Sequence, residues 1–188
     1  MNLTDGLAEE NTLVVAVDNA PNRTVYPQKA DFTFYGGIYR DVLLITLPKQ
    51  HFSLDYFGGN GFQVDAQVEA GVATVTMRTW ATGGTHVRFA IAGGENQTVP
   101  LEEGCAEAKF RLTNPHLWDG VDDPYLYIAQ ATLLIDALVM DKVETHFGCR
   151  SFFFDKDKGF FLNGRSYPLR GVSRHQDRIG VGNVLPAP

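Results

Sequence analysis

Apolar and polar residues alternate with a period of two along much of the chain, and this pattern predicts β-strands. Between Phe62 and Glu69, the Phe, Val and Ala side chains fall on one face and the polar ones on the other. The same alternation recurs over residues 73–78, 87–91, 106–112 and 143–147. Successive side chains of a strand point to opposite faces, so this period fits strands with one buried face. A sustained helical period is missing from the sequence, which therefore predicts an all-β fold.

Glycine-rich turn signals separate these segments. They lie at residues 58–61, 71, 83–84 and 93–96. Another long strand is predicted over Tyr125–Ile135, after a loop that runs from Thr113 to Pro124. Roughly seven short strands with turns about every 8–12 residues are typical of an immunoglobulin-like β-sandwich. We place this sandwich at residues 48–150, with a small barrel as the alternative that the pattern leaves open.

Shorter apolar runs flank the predicted sandwich on both sides. Thr12–Val17 and Asp41–Leu47 are predicted as buried strands, and the second ends at Pro48, which cannot continue a ladder. After Arg150, the pair Asn163–Gly164 is a strong hairpin signal. The apolar segment Pro168–Val172 then predicts one further strand.

Charge and composition narrow the class of partner. The net charge of -6 and the pI near 5.3 argue against nucleic acid, which requires a basic surface. The sequence has no apolar run long enough to span a bilayer, and residues 1–5 lack a signal-peptide pattern. We therefore expect no nucleic-acid or membrane partner and a cytoplasmic location.

The chain has two cysteines, Cys105 and Cys149, with Trp118 between them. This order is that of antibody domains, where a tryptophan packs on an inter-sheet disulfide. The separation is short for that pattern, and two thiols in a chain of this size are typical of reduced, structural cysteines. We expect free thiols.

Four segments, in order along the chain, resemble the family 2 glycoside hydrolases. They are Gly36–Val42, Asn114–Trp118 with Pro124–Tyr127, Gly148–Arg150, and Gly159–Gly164 with Leu169–His175. The ending Arg174–Gln176 and the position of Asp31 resemble the β-galactosidase branch of that family. The β-glucuronidase and β-mannosidase branches share much of the same scaffold.

The resemblance implies a layout in three parts. Residues 1–47 would be the closing strands of a jelly-roll sugar-binding domain, and residues 48–150 the immunoglobulin-like domain. Residues 151–188 would open a (β/α)₈ catalytic barrel. The predicted fold class is thus all-β, an immunoglobulin-like sandwich flanked by partial jelly-roll strands and the first strand of a truncated TIM barrel.

The resemblance also implies a function for the whole protein. It would be a retaining β-galactosidase that hydrolyses terminal β-D-galactosyl residues with two carboxyl groups roughly 5–5.5 Å apart. In the family both are glutamates on later barrel strands, so we expect no catalytic residue in this chain and no activity from it alone. The alternatives are a β-glucuronidase or other family 2 glycosidase, or a non-catalytic sandwich that binds carbohydrate or protein.

Two residues are candidates for substrate binding. The resemblance implies that His175 hydrogen-bonds a sugar hydroxyl, since an imidazole both donates and accepts. It implies that Asp31 binds a galactose hydroxyl directly or through a sodium ion, which prefers oxygen ligands. The alternatives are a structural histidine at a barrel rim and an aspartate of an ordinary turn. The possible cofactors of the whole protein are thus Na⁺ or Mg²⁺.

Other features are interpreted as scaffold. Asp119, Asp122 and Asp123 fit no EF-hand spacing, so we expect a solvated acidic turn in preference to a calcium site. Trp80 and Trp118 are the candidates for stacking on a sugar, although Trp118 is expected to pack against the sandwich.

The expected partners are a galactoside substrate and, for the whole protein, further copies in a homo-oligomer. We also expect this chain to self-associate through residues 1–47 or 151–188, because unpaired strand edges bind other strands.

Overall fold

The computed structural model describes residues 3–24, 36–38, 40–174 and 177–182. Two compact units divide the chain: residues 45–170 form one, and residues 1–44 together with 171–188 form the other. The strands of the described residues are β1 His51–Phe52, β2 Phe62–Glu69, β3 Val72–Thr82, β4 His86–Ile91, β5 Asn96–Pro100, β6 Cys105–Thr113, β7 Tyr127–Ile135, β8 Leu138–Phe147, β9 Phe152–Asp155, β10 Gly159–Leu162 and β11 Arg165–Ser166. All of them lie in the unit of residues 45–170.

Strands β1 to β8 form two antiparallel sheets that face each other. In the first sheet, β3 is central and pairs with β6 on one side and with β2 and β1 on the other. The second sheet has the order β5-β4-β7-β8. The described residues contain no ladder that joins the two sheets, so the arrangement is a sandwich and the barrel alternative is wrong.

Alternate residues of both sheets fill one core. Five of its large side chains are less than 2% exposed: Val75, Met77, Val87, Phe89 and Leu133. The polar positions between them point outward, as the burial pattern of β3 shows by alternating along all 11 residues. The all-β fold with its sandwich is therefore confirmed. Its physical cause is the burial of every second side chain, which the period of two in the sequence places on one face of each strand.

The structure corrects the predicted strands at two places in the sandwich. The alternating apolar residues Phe52, Leu54 and Tyr56 also predict one strand, but β1 ends at Phe52 and a turn follows. Strand β5 was not predicted, because Asn96–Pro100 is an edge strand with mostly polar residues and a closing proline. Edge strands bury little, so their sequences carry a weak apolar pattern.

Strands β9, β10 and β11 form a separate three-stranded sheet, and the predicted hairpin at Asn163–Gly164 is confirmed. Asn163 has φ 50° and Gly164 has φ 79°, as a type I′ turn requires. Register pairs Leu162 with Arg165 across this turn. The turn between β7 and β8 is also built at positive φ, with Asp136 at 47° and Ala137 at 70°.

Three predicted strands do not form among the described residues. Residues 12–17, 41–47 and 168–172 have no ladder, and Val14, Leu44 and Val172 are 84%, 82% and 95% exposed. Apolar content alone does not make a strand, because a neighbouring strand must supply the hydrogen bonds. No described segment does so here. The assignments of residues 1–47 to a jelly roll and of 151–188 to a barrel stay predictions.

The buried Thr79 gives a prediction about stability. Its side chain is 0% exposed, and its hydroxyl has no hydrogen-bond partner among the described residues. Thr79→Val removes a desolvated hydroxyl at nearly constant shape and should raise the free energy of unfolding by about 1 kcal/mol. Urea unfolding followed by tryptophan fluorescence measures this change.

Thr74→Val is the matched control, because Thr74 is on the exposed face of the same strand. The Thr74→Val substitution brings the same gain in β-propensity but removes no buried hydroxyl. Its free energy of unfolding should stay within about 0.5 kcal/mol of that of the parent. A loss of stability in Thr79→Val would show that the hydroxyl has a partner, such as an ordered water.

The exposed apolar runs give a prediction about association. We expect the 188-residue chain to associate with itself, so that light scattering gives a mass that rises with concentration above 20.8 kDa. Leu44→Lys should weaken association because it places a charge in an unpaired segment. Val121→Lys is the control, since Val121 is 86% exposed on a sandwich loop. A constant monomer mass at high concentration would contradict the idea.

Candidate functional site

Both residues predicted to bind substrate, His175 and Asp31, lie outside the described residues. Their roles, and that of Asp31 as a sodium ligand, stay predictions. Arg174, which precedes His175, is described and is exposed. The described part of the chain instead brings three of the family-like segments together at one place. There the loop between β6 and β7 meets the three-stranded sheet of β9 to β11, which we call the hairpin.

We call this place the sandwich–hairpin joint and define it by Trp118, Asp119, Arg150, Asn163 and Arg165. The backbone forms its base, because the Trp118 amide donates to the Cys149 carbonyl at 2.8 Å. The guanidinium of Arg150 lies 5.1 Å from the centre of the Trp118 ring, a cation–π contact. The expectation that Trp118 packs against the sandwich agrees with these contacts.

Glycine at position 148 makes this close approach possible. A Cβ there would lie 2.8 Å from the Cβ of Trp118, which is closer than side chains approach each other. Glycine is also required at position 120, where φ is +70° and a Cβ would collide with the hydroxyl end of Tyr167. Any larger residue at either position would push the loop away from the hairpin or from the strand end.

The side-chain amide of Asn163 connects three parts of the joint. Its Nδ2 donates to the Trp118 carbonyl at 3.1 Å and to the Asp119 carboxylate at 3.2 Å. Its Oδ1 accepts from the Ser151 amide at 3.0 Å. One residue therefore closes the hairpin turn with its backbone and fixes the hairpin to the sandwich with its side chain.

Arg165 supplies the electrostatic part of the joint. Its guanidinium lies 2.5 Å from the carboxylate of Asp119 and 3.7 Å from that of Asp122. The hydrogen bond that Arg165 donates to the Asp119 carboxylate, together with the negative charge of that group, raises the pKa of Arg165 above its ordinary value. Asp119 is the less exposed partner, with 29% of its side chain accessible against 49% for Arg165.

The remaining aspartate of the cluster also has a partner. His116 Nε2 lies 2.6 Å from the Asp123 carboxylate, and its ring stacks on Tyr125 with centroids 4.0 Å apart. Asp122 and Asp123 are exposed, in agreement with the expected solvated turn, and each carboxylate of the turn also faces a basic side chain of the protein. In the part of the chain that the structure describes, no group of three His, Cys, Asp or Glu side chains could hold a metal ion.

The two cysteines are free thiols, as the sequence predicted. Cys149 is 0% exposed and belongs to the core, and burial raises the pKa of its thiol. A buried thiol with a raised pKa is a packing residue and a poor nucleophile at neutral pH.

Sequence reasoning missed Asn163 and Arg165 as residues of the joint. Asn163 was recognised for its turn conformation, which says nothing about where its amide points. Arg165 lies two residues after Asn163. From the sequence alone, its expected ion-pair partner would be a nearby acidic residue. Its actual partners, Asp119 and Asp122, are more than 40 residues away, and no local pattern encodes such a contact.

Chemically, the joint can hold two elements in a fixed relation. A retaining hydrolase needs a pair of carboxyl groups that face a sugar. The carboxylates of the joint face cationic side chains of the protein and do not form such a pair. The joint is therefore a structural site. Among the described residues there is also no helix long and apolar enough to cross a membrane.

Comparisons with known proteins agree with this architecture. The model of the glycosyl hydrolases family 2 matches residues 50–150, which is more than half of the chain. A β-glucuronidase from Bacteroides fragilis is 38% identical over 192 residues, covering 94% of this chain and 28% of that protein. A β-galactosidase from Bacteroides ovatus is 31% identical over 196 residues, covering 94% of this chain and 22% of that protein.

A solved structure extends the similarity to the fold. The crystal structure of an FMN-binding β-glucuronidase from Faecalibacterium prausnitzii L2-6 superimposes with a TM-score of 0.79 at 37% identity. The match covers 89% of this chain and 27% of that one. The all-β sandwich and its matches place the chain among the glycoside hydrolases. It belongs to the glycosyl hydrolases family 2 and spans about a quarter of the length of the relatives it matches.

The joint gives a prediction about local stability. Asn163→Gly keeps the positive φ but removes the three side-chain hydrogen bonds. Since a net hydrogen bond contributes about 1 kcal/mol, amide exchange at Ser151 should accelerate by about tenfold or more while the core strands stay protected. Hydrogen-exchange mass spectrometry measures this rate.

Asn114→Gly is the control variant. Asn114 also has positive φ, at 49°, but lies at the end of β6, outside the joint. It should leave the exchange rate at Ser151 unchanged. Equal effects of the two variants would mean that the amide of Asn163 does not hold the hairpin.

Proposed function

We propose that this chain is part of a β-glucuronidase, a retaining enzyme that hydrolyses terminal β-D-glucuronides. The observation that carries the proposal is the 38% identity to the β-glucuronidase of Bacteroides fragilis across 94% of the chain. The similarity of its fold to that of the β-glucuronidase of Faecalibacterium prausnitzii supports the proposal with a second relative.

β-Galactosidase is the second candidate, and it is the branch that residues 174–176 and Asp31 led us to expect. Its support is the 31% identity to the β-galactosidase of Bacteroides ovatus over the same share of the chain. The higher identity to a glucuronidase favours the first candidate. The two activities differ in one group, the carboxylate of glucuronate, which requires cationic or donor side chains around it.

The described residues contribute position and not chemistry in this proposal. The joint fixes the hairpin of β9 to β11 on the sandwich, and the chain leaves the hairpin at Tyr167, eight residues before His175. The nucleophile and the acid/base would come from parts of the enzyme outside these 188 residues. The small share of each relative that the chain covers, 28% and 22%, supports this division of labour.

His175 and Asp31 are the proposed substrate contacts. His175 would hydrogen-bond a sugar hydroxyl, and Asp31 would bind a second hydroxyl directly or through a sodium ion, which a carboxylate oxygen suits. Both proposals rest on the family resemblance of the surrounding segments. A homo-oligomeric state and the use of Na⁺ or Mg²⁺ by the whole enzyme are proposals on the same basis.

The test is the turnover of paired chromogenic substrates by the full-length protein that contains this chain. The value of kcat/KM for a 4-nitrophenyl β-glucuronide should exceed that for the matching β-galactoside by at least about a hundredfold. A site built to bind a charged group rejects an analogue that lacks it, because its own polar groups are then left unpaired. The reverse ratio would establish the second candidate.

The 188-residue chain alone is the companion sample, and it should hydrolyse neither substrate. Turnover by the isolated chain would place the chemistry in residues interpreted here as scaffold. The proposal that this chain positions the catalytic groups without supplying them would then have to be abandoned.

A further inference from the structure

The loop between β1 and β2 carries an aromatic stack that the packing of the sandwich does not explain. The rings of Tyr56 and Trp80 are stacked, with centroids 3.7 Å apart and planes 11° from parallel. Phe57 contacts Tyr56 edge-on, with centroids 4.8 Å apart, and is itself 92% exposed. Phe57 is the outermost ring of the three.

The backbone of Phe57 is as unusual as its exposure. Gly59 N donates to Tyr56 O at 2.9 Å, so residues 56–59 form a tight turn, with φ 51° at Phe57 and 67° at Gly58. Such turns favour Asn, Asp or Gly at the first central position, and a bulky side chain at positive φ is an outlier. Strained residues of this kind concentrate at ligand-binding sites. Neither the strain nor the exposed ring contributes to the core.

The strand beneath holds this loop rigidly. Ser53 N donates to Trp80 O at 2.8 Å, and Trp80 N donates to Gly61 O at 3.0 Å, so both ends of the loop are anchored on one residue of β3. At Gly61, a Cβ would lie 2.5 Å from the Ser53 carbonyl, and φ is +69°. Only glycine permits this closure. The aromatic rings are thus presented in one preorganised arrangement, which lowers the entropy cost of binding.

Two amides and a hydroxyl lie beside the rings, and the one carboxylate of the loop, that of the exposed Asp55, disfavours an anionic ligand. The Tyr56 hydroxyl lies 3.4 Å from Gln63 Oε1, and the amide of Asn60 lies in the same loop, where its Oδ1 accepts from the Phe62 amide. The nearest cation on the strand, Arg78, is already paired with Glu107. An exposed ring beside amide donors and a hydroxyl, with the cation occupied, suits a neutral ligand that has an apolar face and a rim of hydroxyls.

We propose that Tyr56, Phe57 and Trp80, with Asn60 and Gln63, form a secondary binding site for a neutral β-linked saccharide. A pyranose ring with equatorial hydroxyls presents C–H groups on its faces, which pack on Phe57, and hydroxyls at its edge, which hydrogen-bond the two amides. The site lies on the sandwich and does not require the glucuronidase activity proposed above. It would hold a polymeric substrate or its carrier polysaccharide near the enzyme.

The test is titration of the 188-residue chain with cellohexaose and with xylohexaose, followed by two-dimensional amide NMR. Millimolar binding of at least one of them should shift the signals of Tyr56, Phe57, Asn60 and Gln63. Phe57→Ala should weaken that binding by about tenfold, the equivalent of one lost stacking contact. Phe154→Ala is the matched control, because Phe154 is 70% exposed on β9 and should leave binding within a factor of about two.

Three outcomes would overturn the proposal. The first is that neither hexasaccharide shifts these signals at millimolar concentration. The second is that Phe57→Ala and Phe154→Ala affect binding equally. The third is that Phe57→Ala lowers the mass seen in light scattering while saccharide binding is unchanged, which would make the ring a protein contact. Because the assay needs no turnover, failure of the glucuronidase assignment would leave these results intact.

Discussion

The packing of the two inner sheet faces against each other is the interaction on which the rest of the structure depends. Large side chains such as Met77, Phe89 and Leu133 are fully buried, and each contributes roughly 1.5–3 kcal/mol by leaving water. A polar contact crosses between the sheets at one end, where the Phe52 amide donates to the Asp141 carboxylate at 2.9 Å. The joint is attached to this core through the core residue Cys149, and the aromatic loop is attached to β3 through the backbone of Trp80.

The period of two was sufficient to predict the sandwich because its central strands have one face in the core. It failed where that condition fails. Strand β5 is a polar edge, and the run Asp41–Leu47 is apolar but has no partner among the described residues. The Asn163–Gly164 turn was predictable because its φ values depend on two residues alone. The contacts that Asn163 and Arg165 make with Trp118 and Asp119 were not, because these partners belong to a loop more than 40 residues away.

In the proposed function, the contribution of this segment to the enzyme is geometric. Catalysis by two carboxyl groups tolerates little displacement, and a misplacement of about 1 Å can cost about a hundredfold in rate. In the function proposed above, the joint would limit such displacement through directional contacts: an amide with three hydrogen bonds, a guanidinium held between two carboxylates, and glycines that allow close approach.

The order of the strands also has a consequence for synthesis on the ribosome. Every ladder of the sandwich is complete once β8 has emerged at Phe147, since β8 pairs only with β7 among the described strands. Domains fold as units from the N-terminal side during translation, so the sandwich can become native while later residues are still inside the exit tunnel. Residues 163–167 then emerge onto a surface that is already rigid. The segment that follows the hairpin would thus be oriented by the sandwich before later residues have been synthesised.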